Sequence, residues 1–427
     1  MNEEYNINEE TKINEENKIS EEPGLSQESK TSEDNKAKEE VRSAPPEKID
    51  TNKAGIIFRL CIIVFFLIIS FFSIYGIVAP DRQFSENENR VLEQMPVITP
   101  QSLLDGSFMK KCETYLTDQF PFRDGAIHIK SYIERFLGKT KENGAYIGKY
   151  GFLFDQQSEF DKKKMAELAK AVNAFCKKNP QLNVTFALVP NSSCVYAENL
   201  PDHLQMKNQN SQIQTFYSYL GKRINKIDAF SALNKAKQEH QVFYRTDHHW
   251  TTRGAFAVFE AIAKPLEIQA DEHYRFFNVA NGFRGTLGSK VSSVKSSDSV
   301  EICFVESLQD NFFIDFYGER EKSATFFFEK ELDEKDKYEV FLGGNYGKLS
   351  VTTRNYDGKK LIVIKDSFAN CLLPMLAPYY SKILVLDPRY MTESVADIMQ
   401  QDEFTDLLFL YNANTLFEDV SLKTVLE

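Results

Sequence analysis

Cysteine is scarce and unpatterned in this chain. Its six cysteines stand at 61, 112, 176, 194, 303 and 371 with no CxxC or other metal-ligand spacing, and Cys61 falls inside a long apolar run. The five others are an odd number, so neither a thiolate metal centre nor a complete disulfide framework is implied. Positive charge is also short, with 51 Lys and Arg against 62 Asp and Glu and a net charge of -11. No stretch interleaves basic and aromatic residues, which removes the electrostatic basis for nucleic-acid binding. Residues 1–53 are almost free of large apolar side chains and carry 15 acidic and 8 basic residues. Such a segment buries too little surface to offset chain entropy and is expected to be a disordered acidic tail.

Apolar residues then arrive all at once. In "GIIFRLCIIVFFLIISFFSIYGIVAPDR" the stretch Leu60 to Ala79 holds no formal charge, and about 20 such residues in a helix cross a hydrocarbon core of about 30 Å. A transmembrane anchor over residues 55–79 is expected. A cleaved signal peptide fits less well, because the run is long, some 50 residues precede it, and Pro80 directly follows Ala79. Arg42, Lys48, Lys53 and Arg59 precede the span, whereas Arg82 and Arg90 follow it. The positive-inside rule places the N-terminus in the cytoplasm and residues 80–427 outside, at the cell membrane.

Residues 80–145 read as a lead-in with one helix in "AIHIKSYIERFLG", where Ile127, Ile129, Tyr132, Ile133 and Phe136 fall mostly on one face. From residue 146 to 427, helical and strand-like segments alternate: "DKKKMAELAKAVNAFCKKN" is an amphipathic helix and "QLNVTFALVP" a buried strand. This order predicts a mainly parallel sheet with helices on both faces, a three-layer α/β/α domain. Short β-rich runs over about 274–350 predict an antiparallel insertion. Three later strands, in "KKLIVIKDSF", "SKILVLDPRY" and "DLLFLYNAN", end in polar residues. Open α/β sheets bind ligands beyond the carboxyl ends of their strands, so the chemistry is sought there.

In "VIKDSFANCLL" an apolar strand stops at Asp366-Ser367 and a helical pattern begins. Ser367 would stand at a helix N-terminus, where backbone N–H groups favour an oxyanion. A plain N-cap is the competing reading. Far upstream, "YRTDHHWTT" sets Asp247, His248, His249 and Trp250 side by side. If residues 242–249 are extended, Asp247 and His249 share one face and His248 and Trp250 the other. Aspartate beside histidine is what a serine needs to lose its proton, since the imidazole accepts it and the carboxylate fixes the tautomer. A metal site is the second reading, although neighbouring histidines on a strand diverge and no second cluster supplies further ligands. A structural polar turn is the third.

With "FSENENR", "DQFPFRDG" and "YIGKYGFLF" preceding "TDHHWT" and "IKDSFAN", the chain resembles the DHHW family of membrane-anchored extracytoplasmic proteins. That family is similar to the alginate O-acetyltransferase proteins AlgJ and AlgX and, more distantly, to SGNH-fold esterases. The resemblance implies Asp247 as acid, His249 as base and Ser367 as nucleophile, with no cofactor and no metal. His248 occupies the middle of the motif and leaves a second register open, and Lys365-Asp366-Ser367 stands where SGNH enzymes usually carry Gly-Asp-Ser. Asn412 falls where such enzymes place an oxyanion asparagine. Arg389, Tyr390, Trp250 and His248 are further substrate-binding candidates, and Gly343, Gly344, Asn191 and Ser192 weaker ones. The implied activity is acyl transfer, most simply O-acetylation of a cell-envelope or secreted polysaccharide through an acyl-enzyme. The acyl group would come from a multi-pass, MBOAT-like membrane acyltransferase partner. An esterase with the same residues and a non-catalytic polysaccharide-binding scaffold are the rival readings.

Overall fold

The computed structural model describes residues 51–85, 90–355 and 358–427. The acidic tail expected over residues 1–53 therefore lies, up to residue 50, outside the described residues. The described residues divide into two units between Ser73 and Ile74. Helix α1, Thr51–Val78, contains a 24-residue stretch, Gly55–Val78, with mean hydropathy 2.8 and none of it buried. At about 1.5 Å per residue it is long and apolar enough to cross a membrane.

The lead-in carries α2, Ser107–Asp118, and α3, Arg123–Phe136. The apolar residues read onto one face of α3 point outward: Ile129, Tyr132, Ile133 and Phe136 are exposed, while Ser131 is buried. What ties α3 down is polar. The buried Glu142 carboxylate accepts from Ser131 Oγ (2.7 Å) and from Ser292 N (3.0 Å) and Oγ (2.8 Å).

The elements that frame the site are, in chain order, α4 Lys162–Lys178, β1 Asn183–Val189, α5 Gln209–Tyr219, β2 Asn225–Ile227, α6 Ala229–Ala236, α7 Thr252–Ala263, β3 Tyr274–Phe283, β4 Asp298–Val305, β5 Phe312–Asp315, β6 Lys348–Thr353, β7 Lys359–Lys365, β8 Tyr380–Leu386 and β9 Asp406–Asn412. Helix α4 starts where the Asp161 carboxylate accepts from Lys163 N and Lys164 N, a side-chain N-cap. It buries Met165, Leu168, Val172 and Phe175 at the three- and four-residue spacing of one helical face. A seven-stranded sheet runs in the order β5-β6-β8-β7-β9-β1-β2. The neighbours from β8 to β2 are parallel, and β5 and β6 add antiparallel strands at one edge.

Alternate residues along each central strand supply two separate cores, as a period of two requires when both faces are covered. On β7, Leu361 and Val363 join one cluster and Ile362 and Ile364 the other; on β9, Leu408 and Leu410 oppose Leu407, Phe409 and Tyr411. The fold is thus the expected α/β domain with a mainly parallel sheet. The β-rich run after residue 274 divides in two. Strands β3 and β4 form a separate antiparallel ribbon, while β5 and β6 extend the main sheet itself.

Candidate active site

Ser367 comes from the sheet. Strand β7 lies between β8 and β9, and the residue after its end, Asp366, is fully buried. Its backbone N–H donates to Leu410 O (3.3 Å), and its carboxylate accepts from Phe368 N (3.0 Å) and Asn412 N (2.8 Å). Asp366 is therefore the cap, and Ser367 opens the turn that follows. That turn is a 3-10 segment, Ser367–Cys371, followed by a one-turn α-helix, Leu373–Leu376, so the helical pattern read from the sequence is present but irregular and short. The Phe368 N–H is already committed to Asp366, so no long helix dipole faces the serine.

His249 comes from a loop. Residues 244–249 are not extended, which corrects the alternation argued above. The loop is closed by a bridge between Phe243 and Trp250 and by Tyr244 N donating to His249 O (3.2 Å). Asp247 and His249 still meet, because the chain turns back on itself. The buried Asp247 Oδ1 accepts from both His249 N (2.9 Å) and His249 Nδ1 (2.6 Å). An imidazole whose Nδ1–H donates to a carboxylate presents the Nε2 lone pair on its far side. That Nε2 lies 2.8 Å from Ser367 Oγ.

Four residues that sequence reasoning missed hold this geometry. Thr286 donates from its backbone N–H (2.8 Å) and hydroxyl (3.0 Å) to Asp247 Oδ2. Gly285 packs so tightly on Asp247 that a Cβ there would overlap the carboxylate. Asp298, at the start of β4, accepts from Gln241 Nε2, Arg245 N, Thr246 N and Thr246 Oγ1 at 2.7–3.0 Å. The Tyr338 ring stacks on His249 at 3.7 Å between centroids, and its hydroxyl donates to Ser367 O at 3.2 Å. None of these positions carries a sequence signal of its own, apart from glycine at 285.

Electrostatics set the protonation states. Burial alone would raise the Asp247 carboxyl, but the two imidazoles and the hydrogen bonds from His249 hold it well below the usual carboxylate range. Burial pushes the His249 imidazole down to about 4, with His248 and Arg389 adding to the effect against the pull of Asp247. His249 is therefore neutral at neutral pH, as a proton acceptor must be. Nearby, burial and the Asp247 charge push the Asp336 carboxyl up to about 6.

The other predicted residues fall into place differently. His248 is half-exposed, and its Nδ1 lies 2.8 Å from Thr286 Oγ1; it is His249 that faces the serine. Trp250 is fully buried and its indole N–H donates to Phe368 O (2.9 Å), so it braces the serine turn and is closed to substrate. Asn412 is partly engaged: one N–H of its carboxamide donates to Val189 O (3.2 Å) and its Oδ1 caps Asn414 N (3.0 Å), and the residue lines the cleft beside the serine turn. Asp387 clamps Arg389 through Nε (2.9 Å) and Nη2 (2.7 Å). Tyr390 is exposed. Lys365, the departure beside the serine, is completely buried, with Nζ on Asn370 Oδ1 (2.8 Å), Asn345 Oδ1 (3.3 Å) and Asp387 (3.4 Å). It ties the serine turn to the loop holding Gly343 and Gly344, whose φ values are +70° and +120°.

Oxygen and nitrogen atoms of Asp247, His248 and His249 lie within 4.8 Å of one another. The Asp247 oxygens and both His249 nitrogens are already engaged with one another, with Thr286 and with Ser367, a hydrogen-bond chain. A cleft of about 900 Å³ adjoins the site, with His248, Arg389 and Asn412 in its wall.

Residues 147–288 match the family described as "SGNH hydrolase-like domain, acetyltransferase AlgX". The fold of the chain is SGNH-like. A DHHW family protein from Eubacterium siraeum has the same fold, with TM-score 0.57, 20% identity, and coverage of 66% of this chain and 95% of that one. So does Bacillus cereus PatB1, solved with a sulfonyl adduct, at TM-score 0.55 and 19% identity over 64% of this chain and 96% of that one. In sequence the chain is similar to two proteins named probable alginate O-acetylase AlgJ. The Pseudomonas syringae protein is 29% identical over 36% of this chain and 41% of its own length, and the Pseudomonas putida protein 25% over 40% and 46%. The chain thus spans less than half the length of these relatives. Together these matches bear out the resemblance read from the motifs.

Proposed function

We propose that the SGNH-like domain is a serine acyltransferase that O-acetylates a polysaccharide outside a membrane, to which α1 anchors it. The observation that carries this reading is the 2.8 Å contact between His249 Nε2 and Ser367 Oγ, backed by the 2.6 Å contact between His249 Nδ1 and Asp247. In the first step Ser367 Oγ attacks the carbonyl carbon of an acyl donor while His249 Nε2 takes the hydroxyl proton. Collapse of the tetrahedral intermediate breaks the bond to the leaving group, which receives that proton, and leaves an ester on Ser367. A sugar hydroxyl then gives its proton to His249 and attacks the ester, and Ser367 regains a proton as the acetylated sugar departs. Asp247 holds the tautomer and balances the imidazolium formed at each step. The acyl group would be delivered by a multi-pass membrane acyltransferase.

Purified full-length protein in detergent, assayed with a chromogenic acetyl ester, tests this. Turnover is expected to persist in the presence of chelator and to vanish in Ser367→Ala and His249→Ala. An acetylated sugar among the products marks a transferase; release of acetate alone marks an esterase. A folded protein without turnover would point instead to a binding scaffold.

A further inference from the structure

We propose that the acceptor is a carboxylate-free glycan, neutral or amino-bearing, and not a polyuronate. This deepens the acyl-transfer reading and rests on it for the identity of the cleft as the acceptor site. The cleft of about 900 Å³ lies at the upper end of the size range of ligand pockets and reaches the reactive groups through His248.

Its wall is rich in acceptors and poor in free positive charge. Asp155, Glu159, Glu418 and Asp419 contribute carboxylates, against the two cations Lys207 and Arg389. Arg389 is held in a two-bonded clamp by Asp387, which uses the Nε and Nη2 edge that would otherwise grip a ligand carboxylate. Lys290 approaches Asp155 only to 3.7 Å, on an exposed edge, where an ion pair is weak. A chain bearing a carboxylate on every ring would meet like charge along this wall.

Donors, in contrast, are wanted there. Gln157 Oε1 is buried without a hydrogen-bond partner among the described residues, and the residue lines the cleft. A buried acceptor left unpaired is costly, and a ligand hydroxyl or amine that reaches it recovers that cost. Sugar hydroxyls and ammonium groups are donors; a polyuronate offers hydroxyls too, so it is the carboxylates of the wall that count against it. The relatives named after alginate are, by that name, associated with a uronate polymer, so the cleft separates this chain from them in acceptor chemistry.

The test is binding to full-length Ser367→Ala protein in detergent, measured by calorimetry with three oligosaccharides of equal length: a chitin fragment, a chitosan fragment and an oligogalacturonate. Because it reads binding, the result stands whether or not acyl transfer is found. The proposal expects the oligogalacturonate to bind at least tenfold more weakly than either of the others at low salt. It expects this gap to narrow at high salt, and Glu159→Gln combined with Asp155→Asn to narrow it severalfold. Equal or tighter binding of the oligogalacturonate, or no binding by any of the three, overturns it. Loss of ester turnover with this preference intact would instead remove the acyl-transfer reading alone.

Discussion

Ser367 and His249 face each other across 2.8 Å, yet they are supported in unlike ways. The serine follows the end of a strand enclosed by parallel neighbours on both sides, so main-chain hydrogen bonds fix it from within the sheet. The histidine sits in a loop outside the sheet, tied by single main-chain bonds from Leu153 N to Arg245 O (2.7 Å) and from Gly288 N to Thr246 O (2.7 Å), and its aim depends on distant side chains: Asp298 under the loop, Thr286 on Asp247, Tyr338 against the ring. One partner is placed by topology and the other by stitching. A placement by stitching fails piece by piece, whereas a placement by topology fails with the fold.

Substitutions can break this contrast, and the largest effects fall on the reacting atoms. Ser367→Ala is expected to lower ester turnover by at least about a thousandfold. Ser367 lies outside the core, so the melting temperature should hardly move, and thermal unfolding beside the steady-state assay checks both. His249→Ala should match that loss. Next come the supports. On the sheet side, Lys365→Met leaves Asp387 and two asparagines short of a buried partner and should cost about 3–5 kcal/mol of stability, read by denaturant unfolding. On the loop side, Asp298→Ala strips an acceptor from four donors and should cost about 2–3 kcal/mol. It should also lower turnover more than its effect on stability explains. Thr286→Val is milder, about tenfold in turnover with stability little changed, because the backbone N–H still holds Asp247.

Acidity probes the histidine side alone. With His249 depressed to about 4, the acidic limb of the pH–rate profile should fall near pH 4 rather than at the ordinary histidine value of about 6.5. The unfolded chain takes up a proton that the native imidazole refuses between those two values. Stability from this group is therefore full above about 6.5 and is lost as pH falls toward and through 4. The smallest effect expected is that of His248→Ala, a change of a few-fold at most, since its ring bonds Thr286 and not the serine.

The same contrast explains what the sequence disclosed. Ser367 was legible because a buried parallel strand is an unbroken apolar run, and its abrupt polar end marks the rim of the sheet. The alternation of the two cores was equally open to reading in residues such as Leu361 to Ile364. Asp247 and His249 were legible as residue types, although the extended geometry used to pair them was not the one adopted. Thr286, Asp298 and Tyr338 were hidden, because each lies 29 or more residues from its partner and a lone threonine, aspartate or tyrosine has many ordinary uses. Trp250 was read as a substrate contact because its burial and its bond to Phe368 O depend on tertiary packing. Strands β5 and β6 could be seen as β-rich, but joining the main sheet depends on a non-local pairing with β8 that no local pattern encodes.

The central claim is that His249 draws the proton from Ser367 so that the serine takes an acyl group. Intact-mass analysis of the full-length protein after brief exposure to an activated acetyl ester, followed by peptide mapping, reads that event directly. The account predicts a single added acetyl group on Ser367 in the wild-type protein and none in His249→Ala. An acetyl group mapped reproducibly to another residue, or equal labelling of Ser367 without the histidine, would contradict it.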